Sequence, residues 1–189
     1  ADITENFSNQ DLLNSGIVLN LSVYGGGNND RGRVVLPTDD GGYLVVAETT
    51  SYGTGGRDII LLRFDVSGSL IWAKTAGSNA DEMILSARQT ADNGFIVTGW
   101  TGNYGASVTN ALLLKYDSAG NLIWAKVIEV INNYENNSYA VVQTNDGGYA
   151  ICGRAKKHLS YTWQIFLIKL NSSGDLIWAR AVSDATDIM

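Results

Sequence analysis

The stretch 68-GSLIWAK-74 returns twice with little change, as 120-GNLIWAK-126 and 174-GDLIWAR-180. Trp72, Trp124 and Trp178 therefore sit in near-identical settings, separated by 52 and 54 residues. A second string keeps the same register: 38-TDDGGY-43, 90-TADNGF-95 and 144-TNDGGY-149. Its closing aromatic precedes the tryptophan by 29 residues in every copy. The two extra residues of the third copy thus fall between Trp124 and Thr144, in or near 132-NNYENN-137. Two independent motifs holding one spacing define a repeated structural unit, and that repeat governs every local reading.

Each unit reads as four short strands. In the middle unit these are Ile84 to Gln89, Phe95 to Thr101, Ala111 to Tyr116 and Asn121 to Val127. The turns 91-ADNG-94 and 117-DSAG-120 carry Asp near their start and Gly where positive φ is needed. Strand 58-DIILLRF-64 sets Ile59 and Leu61 on one face and Ile60, Leu62 and Phe64 on the other; 164-QIFLIKL-170 does the same. Hairpin-linked strands usually keep one wet face, so two apolar faces predict sheets covered on both sides. Four-stranded antiparallel sheets packed between copies of themselves are the blades of a β-propeller.

The expected fold is therefore all-β: propeller blades of four antiparallel strands, three complete repeats plus partial blades at both termini. Residues 1–22 form a partial blade, 23–74, 75–126 and 127–180 the three repeats, and 181–189 the start of a further blade, all in one propeller domain. Gly16 stands in register with Gly68, with Asn20 in the tryptophan position. At the other end Asp187 and Met189 repeat Asp81 and Met83. Three units are fewer than the about four to eight blades of a closed ring. Three outcomes are open: part of a longer propeller, a small ring closed by a composite blade, or two copies joined in one ring.

From about Val23 to Arg180 the chain resembles the glycine-rich propeller repeat of secreted and surface proteins of bacteria and archaea, roughly T-x-D-G-G-Y followed by D-x-x-G-x-x-x-W-A-K. The resemblance implies a multi-bladed extracellular propeller without a common catalytic centre. The tryptophan frame also resembles the docking motif of quinoprotein dehydrogenase propellers, where the indole wedges between blades. Trp72, Trp124 and Trp178 are accordingly expected to be blade-docking elements, with Trp72 and Trp124 largely buried and Trp178 more exposed. This chain has no paired cysteines for quinone chemistry.

Composition narrows the functional classes. A chain of 189 residues with 45% hydrophobic and 17% charged residues is a folded protein, and 21 glycines against one proline suit tight turns. A net charge of -6 argues against a nucleic-acid partner, which demands clustered Lys and Arg. The nearest approach, Arg154, Lys156 and Lys157, is read as a solvated loop. No apolar run approaches the ~20 residues of a membrane helix, so no membrane span is expected. Cys152 is the single cysteine and His158 the single histidine, which excludes a cysteine zinc site and leaves only one place for a triad. No cofactor, metal or catalytic residue is expected. Cys152 shares its slot with Val46 and Thr98 and is read as a small core residue.

Recurring charges are read as structural. Arg63, Lys115 and Lys169, and Lys74, Lys126 and Arg180, are expected to pair with nearby acids, Arg63 with Asp65 for example. Asp39, Asp40, Asp92 and Asp146, like Asp65, Asp117 and Asn171, are expected to accept hydrogen bonds from turn amides. What does not repeat is the loop between second and third strands: 49-TTSYGTGGR-57, 100-WTGNYGASVT-109 and 154-RAKKHLSYTW-163. Variable loops on a rigid scaffold are where binding concentrates. The candidate ligand- or partner-binding residues are Tyr52, Trp100, Asn103, Tyr104, His158, Tyr161 and Trp163.

The functional expectation is a non-enzymatic, secreted or cell-surface propeller module with structural, adhesive or protein-binding roles. Two alternatives stand beside it. One is a carbohydrate-binding or carbohydrate-processing propeller; the other is a subunit of a surface filament assembled by strand or blade complementation. Its partners would be copies of itself, further propeller repeats, glycans or surface proteins. Sequons at Asn6, Asn20, Asn136 and Asn171 fit a secreted glycoprotein.

Overall fold

The computed structural model describes residues 23–103, 106–129, 135–156 and 162–182. They form twelve strands and, among the described residues, no helix. The first sheet holds β1 (Asp30–Pro37), β2 (Tyr43–Thr49), β3 (Asp58–Phe64) and β4 (Leu70–Ala76). The second holds β5 (Glu82–Gln89), β6 (Phe95–Asn103), β7 (Ala106–Tyr116) and β8 (Leu122–Ile128). The third holds β9 (Glu135–Gln143), β10 (Tyr149–Lys156), β11 (Gln164–Leu170) and β12 (Leu176–Val182). Every sheet is an antiparallel meander in chain order. Gly16, Asn20, Asp187 and Met189 lie outside the described residues.

The repeat extends to irregularities. In each first strand one residue has no partner in the ladder: Arg33, Leu85 and Tyr139. In each fourth strand the isoleucine before the tryptophan is likewise skipped: Ile71, Ile123 and Ile177. Such bulges bend and twist a strand locally, so the three sheets share their shape as well as their topology.

The two glycines of the D-G-G-Y turn answer different demands. The first position has positive φ, 84° at Gly41, 60° at Asn93 and 78° at Gly147, which explains why Asn substitutes there. The second is needed for space. A Cβ on Gly42, Gly94 or Gly148 would run into the carbonyl oxygen of Phe64, Tyr116 or Leu170, and would lie 2.5 Å from the cationic head of Arg63, Lys115 or Lys169.

That cationic head clasps the turn. Lys115 Nζ donates to Thr90 Oγ1 (3.1 Å), Asp92 Oδ1 (3.0 Å) and the Tyr116 carbonyl (2.9 Å). Lys169 repeats the pattern with Thr144, Asp146 and the Leu170 carbonyl. Arg63 pairs with Asp40, not with Asp65 as its sequence position suggested. The reason is the β2–β3 ladder, in which Tyr43 faces Phe64 and so folds the preceding turn back over Arg63. Asp65 instead accepts the Ser67 and Ser69 amides of its own turn. Burial works against ionisation of Asp92, but hydrogen bonds from Thr90 and Lys115 hold its pKa down to about 2. Of the second cationic set, Lys126 reaches Asp175 in the third sheet (3.1 Å), and Arg180 donates to the Ala179 carbonyl.

Adjacent sheets meet face to face through one joint used twice. Leu44, Ile59 and Leu61 of the first sheet pack on Phe95, Val97 and Leu112 of the second. The register-equivalent Ile96, Ala111 and Leu113 pack on Tyr149, Ile151 and Phe166 of the third. Trp72 lies edge-on to Phe95 (6.4 Å) and over Gly120; Trp124 lies edge-on to Tyr149 (5.7 Å) and over Gly174. A hydrogen bond also recurs, from the Asp39 amide to Gln89 Oε1 (2.9 Å) and from the Ala91 amide to Gln143 Oε1 (2.8 Å). Both tryptophans are half-buried rather than largely buried, while Trp178, at the end of the row, is exposed.

Among the described residues two-sided burial is fullest in the middle sheet; β3 of the first sheet also buries Ile59 and Leu61 on one face and Leu62 on the other, whereas the third sheet is open on one face. Ile59 and Ala111 are fully buried, yet the equivalent Ile165 is 64% exposed; Phe95 is 1% exposed and the equivalent Tyr43 45%. The same openness leaves Cys152 half-buried where Val46 and Thr98 are fully buried, so it is not a core residue in the expected sense. At the rim of the first sheet, Val23, Tyr24 and Gly25 lie beside Ile60 and Leu62, with Tyr24 edge-on to Phe64 at 5.1 Å. On the second sheet the same place, beside Leu112 and Leu114, belongs to Ala76 and Gly77 at the end of β4.

Candidate functional site

The variable loops gather at the end of the sheets opposite the D-G-G-Y turns, and the structure divides their aromatics into two groups. In the first sheet Tyr52 is exposed and its hydroxyl donates to the Gly25 carbonyl (2.9 Å). Trp100, near the end of β6, is half-buried with the Arg57 guanidinium 5.9 Å above its ring. Beside them a cleft of about 730 Å³ is lined by Asn28, Asn29, Thr50, Arg57 and Asp81 together with glycine backbone.

A charge network fixes the walls of this cleft. Arg33 grips Glu48 through both carboxylate oxygens (2.7 and 2.8 Å). Arg57 donates to Asp81 from its backbone amide (2.9 Å) and its guanidinium (3.1 Å), and these bonds hold the Asp81 carboxyl below the usual range. Burial disfavours the charge on Asp30, but Thr49, the Gly26 amide and Ser51 donate to it and depress its pKa overall. Both carboxylates are thus ionised at neutral pH, and Asp81 lines the cleft beside amide and hydroxyl groups.

The second group surrounds Trp163 in front of β11. Arg154 stacks on its ring at 3.8 Å, Lys156 lies 5.3 Å from the same ring, and Arg154 also stands 5.4 Å from the Tyr139 ring. Arg154 and Lys156 therefore belong to β10 and to an aromatic-cation cluster, which corrects their reading as a solvated loop. Lys156 also approaches Glu135 at 3.8 Å. Exposed cation-π stacks of this kind contribute about 0.5–1 kcal/mol each.

Of the other candidates, Asn103 ends β6 and pairs with Ala106, while Tyr104, His158 and Tyr161 lie outside the described residues. Asn6 and Asn20 lie outside them as well. The sequon at Asn136 does not present a surface side chain, for Asn136 is buried in β9. Asn171 caps its own turn by accepting the Ser173 and Asp175 amides. Arg57 and Asp81 were not among the expected binding residues, and Arg154 was expected only in a solvated loop. Their signal was register alone, since Arg154 occupies the position of Trp100 one repeat later. No family model and no curated protein matches the sequence.

Proposed function

We propose that the chain is a non-enzymatic β-propeller-type module of a secreted or cell-surface protein, which recognises a partner through its non-repeating loops. The observation that carries the reading is the contrast between the two ends of the sheets. The joint between sheets is the same twice over, whereas the loop end presents a different set of aromatic and charged groups in each repeat. Loops on a scaffold of this kind are free to vary because the packing does not depend on them. Glycans and surface proteins are the partner classes that suit exposed aromatics flanked by amides and cations. Binding to glycan and surface-protein arrays is the test. Trp163→Ala is expected to lower it about tenfold or more with the unfolding midpoint unchanged. Equal binding by wild type and this variant removes the loop reading.

One observation favours self-association as a second reading. Ile165, Leu167 and Trp178 form an exposed apolar face on the third sheet, and the positions equivalent to Ile165 and Leu167 are fully buried on both other sheets. A further sheet of the same kind, from another copy or from further repeats, would cover it and extend the row toward a propeller. Sedimentation should then show association that Trp178→Ser weakens, and a monomer at all concentrations tells against it.

A further inference from the structure

We propose that the joints between sheets form two equivalent binding sites for a neutral polysaccharide, with one hexose residue in each. At the end that carries the D-G-G-Y turns, a cleft of about 560 Å³ lies between the first and second sheets, and one of about 480 Å³ between the second and third. The first is lined by Asp40, Ile71 and Trp72 from one sheet and by Gln89 and Ser118 from the next. The second is lined by Asp92, Ile123 and Trp124, and by Gln143 and Ser172. Each residue of the second set stands 52 or 54 positions after its counterpart in the first. The same cleft is thus present twice, at the opposite end from the variable loops. Both volumes fall within the range of about 300–1,000 Å³ usual for ligand sites.

The lining selects the ligand. Ile71 and Ile123 are both 55% exposed and both skipped by the strand ladders, so neither core packing nor pairing calls for an isoleucine there. Beside each, the uncovered part of a half-buried indole extends the apolar wall. Polar groups come from the following sheet. Gln89 Oε1 and Gln143 Oε1 are taken by backbone amides, which fixes each side chain and leaves its Nε2 group as the donor for a ligand. Gln143 Nε2 makes one long bond, 3.4 Å to the Gly147 carbonyl, and carries a second hydrogen. The side chains of Asp40 and Asp92 are 66% and 58% exposed. Among the described residues, Oδ2 of each accepts only from the cation that clasps its turn, Arg63 or Lys115, and keeps a lone pair for a hydroxyl. An apolar wall with amide, hydroxyl and carboxylate groups beside it matches a pyranose ring, which has C–H groups on its faces and hydroxyls around its rim.

Charge sets the kind of sugar. Arg63 and Lys115 are each matched by the neighbouring carboxylate, and Asp39 adds a further negative charge at the first cleft. Neither lining holds an unmatched cation, so acidic sugars are disfavoured. Two sites one repeat apart suit a polymer, whose second contact follows the first at high effective concentration. The third sheet carries only the leading half of such a cleft, with Asp146, Ile177 and Trp178 in the same register. These sites go beyond the loop recognition proposed above and do not depend on it.

The test is calorimetric titration with linear glucan, mannan and galactan oligosaccharides, each compared with its monosaccharide. An oligosaccharide should bind about tenfold more tightly than the monosaccharide or better. Ile71→Ser and Ile123→Ser should each remove that gain, and the double variant should lose binding. The unfolding midpoint should not move, because both positions are exposed. Ile177→Ser and Trp163→Ala should bind as wild type does. The proposal is overturned if none of these sugars binds, if binding survives in the double variant, or if an oligouronate binds more tightly than the neutral chains. An affinity lost in Trp163→Ala and kept in the double variant places the sugar at the loops, which overturns these sites and leaves the loop reading standing.

Discussion

Phe95→Ala should lower the unfolding free energy by about 3–5 kcal/mol, the range for emptying a buried phenylalanine site. Phe95 is 1% exposed, begins β6 and carries the edge on which Trp72 rests at 6.4 Å. Its loss opens a cavity inside the joint, and both sheets are pinned by their own ladders, so the gap cannot easily collapse. Denaturant titration measures the loss, and Trp72 emission should shift to longer wavelength in the folded variant. Tyr43 provides the control from within the molecule. It occupies the same register position but is 45% exposed at the open end of the row, so Tyr43→Ala should cost about 1 kcal/mol or less. Equal losses at the two positions would mean that the joint does not organise stability.

Gly120→Ala should cost about 2–4 kcal/mol, from two causes that can be separated. Gly120 has a φ of 77°, and a Cβ there would lie 2.7–2.9 Å from the six-membered ring of Trp72. Gly68 has nearly the same backbone, with a φ of 81°, but nothing lies within 4 Å of the added atom. Gly68→Ala therefore reports the conformational cost alone, about 1 kcal/mol. The difference between the two variants measures the wedge of Trp72 against the following sheet. If they are equally destabilised, the indole yields without cost and the tryptophan frame does not fasten the joint.

These comparisons also mark what was legible in the sequence. Strand order and turn chemistry were readable because both are local: the D-G-G-Y and G-x-L-I-W strings fix where each strand begins. Pairings decided by the ladder were not. Arg63 lies two residues from Asp65, yet the return of β2 places Asp40 over it. Apolar alternation announced two-sided burial for β11 as firmly as for β7. Whether a neighbour is present to bury Ile165 and Leu167 is not a property of that strand. Trp72 and Gln89 border one cleft only because adjacent sheets stack, and no spacing rule links a fourth strand to the end of the next first strand. Within the candidate site, Trp163 was singled out as an aromatic in a loop, but its stacking partner, Arg154, comes from across the hairpin.

The doubled joint has a genetic consequence. Since the second sheet receives the first by the same contacts with which the third receives the second, a segment cut at one turn rejoins at the equivalent turn without a new surface having to be invented. An in-frame duplication or deletion of one unit changes the length of the row while leaving every remaining seam as it was. The number of units is thus a quantity that this joint leaves free, while the fold of each unit stays the same.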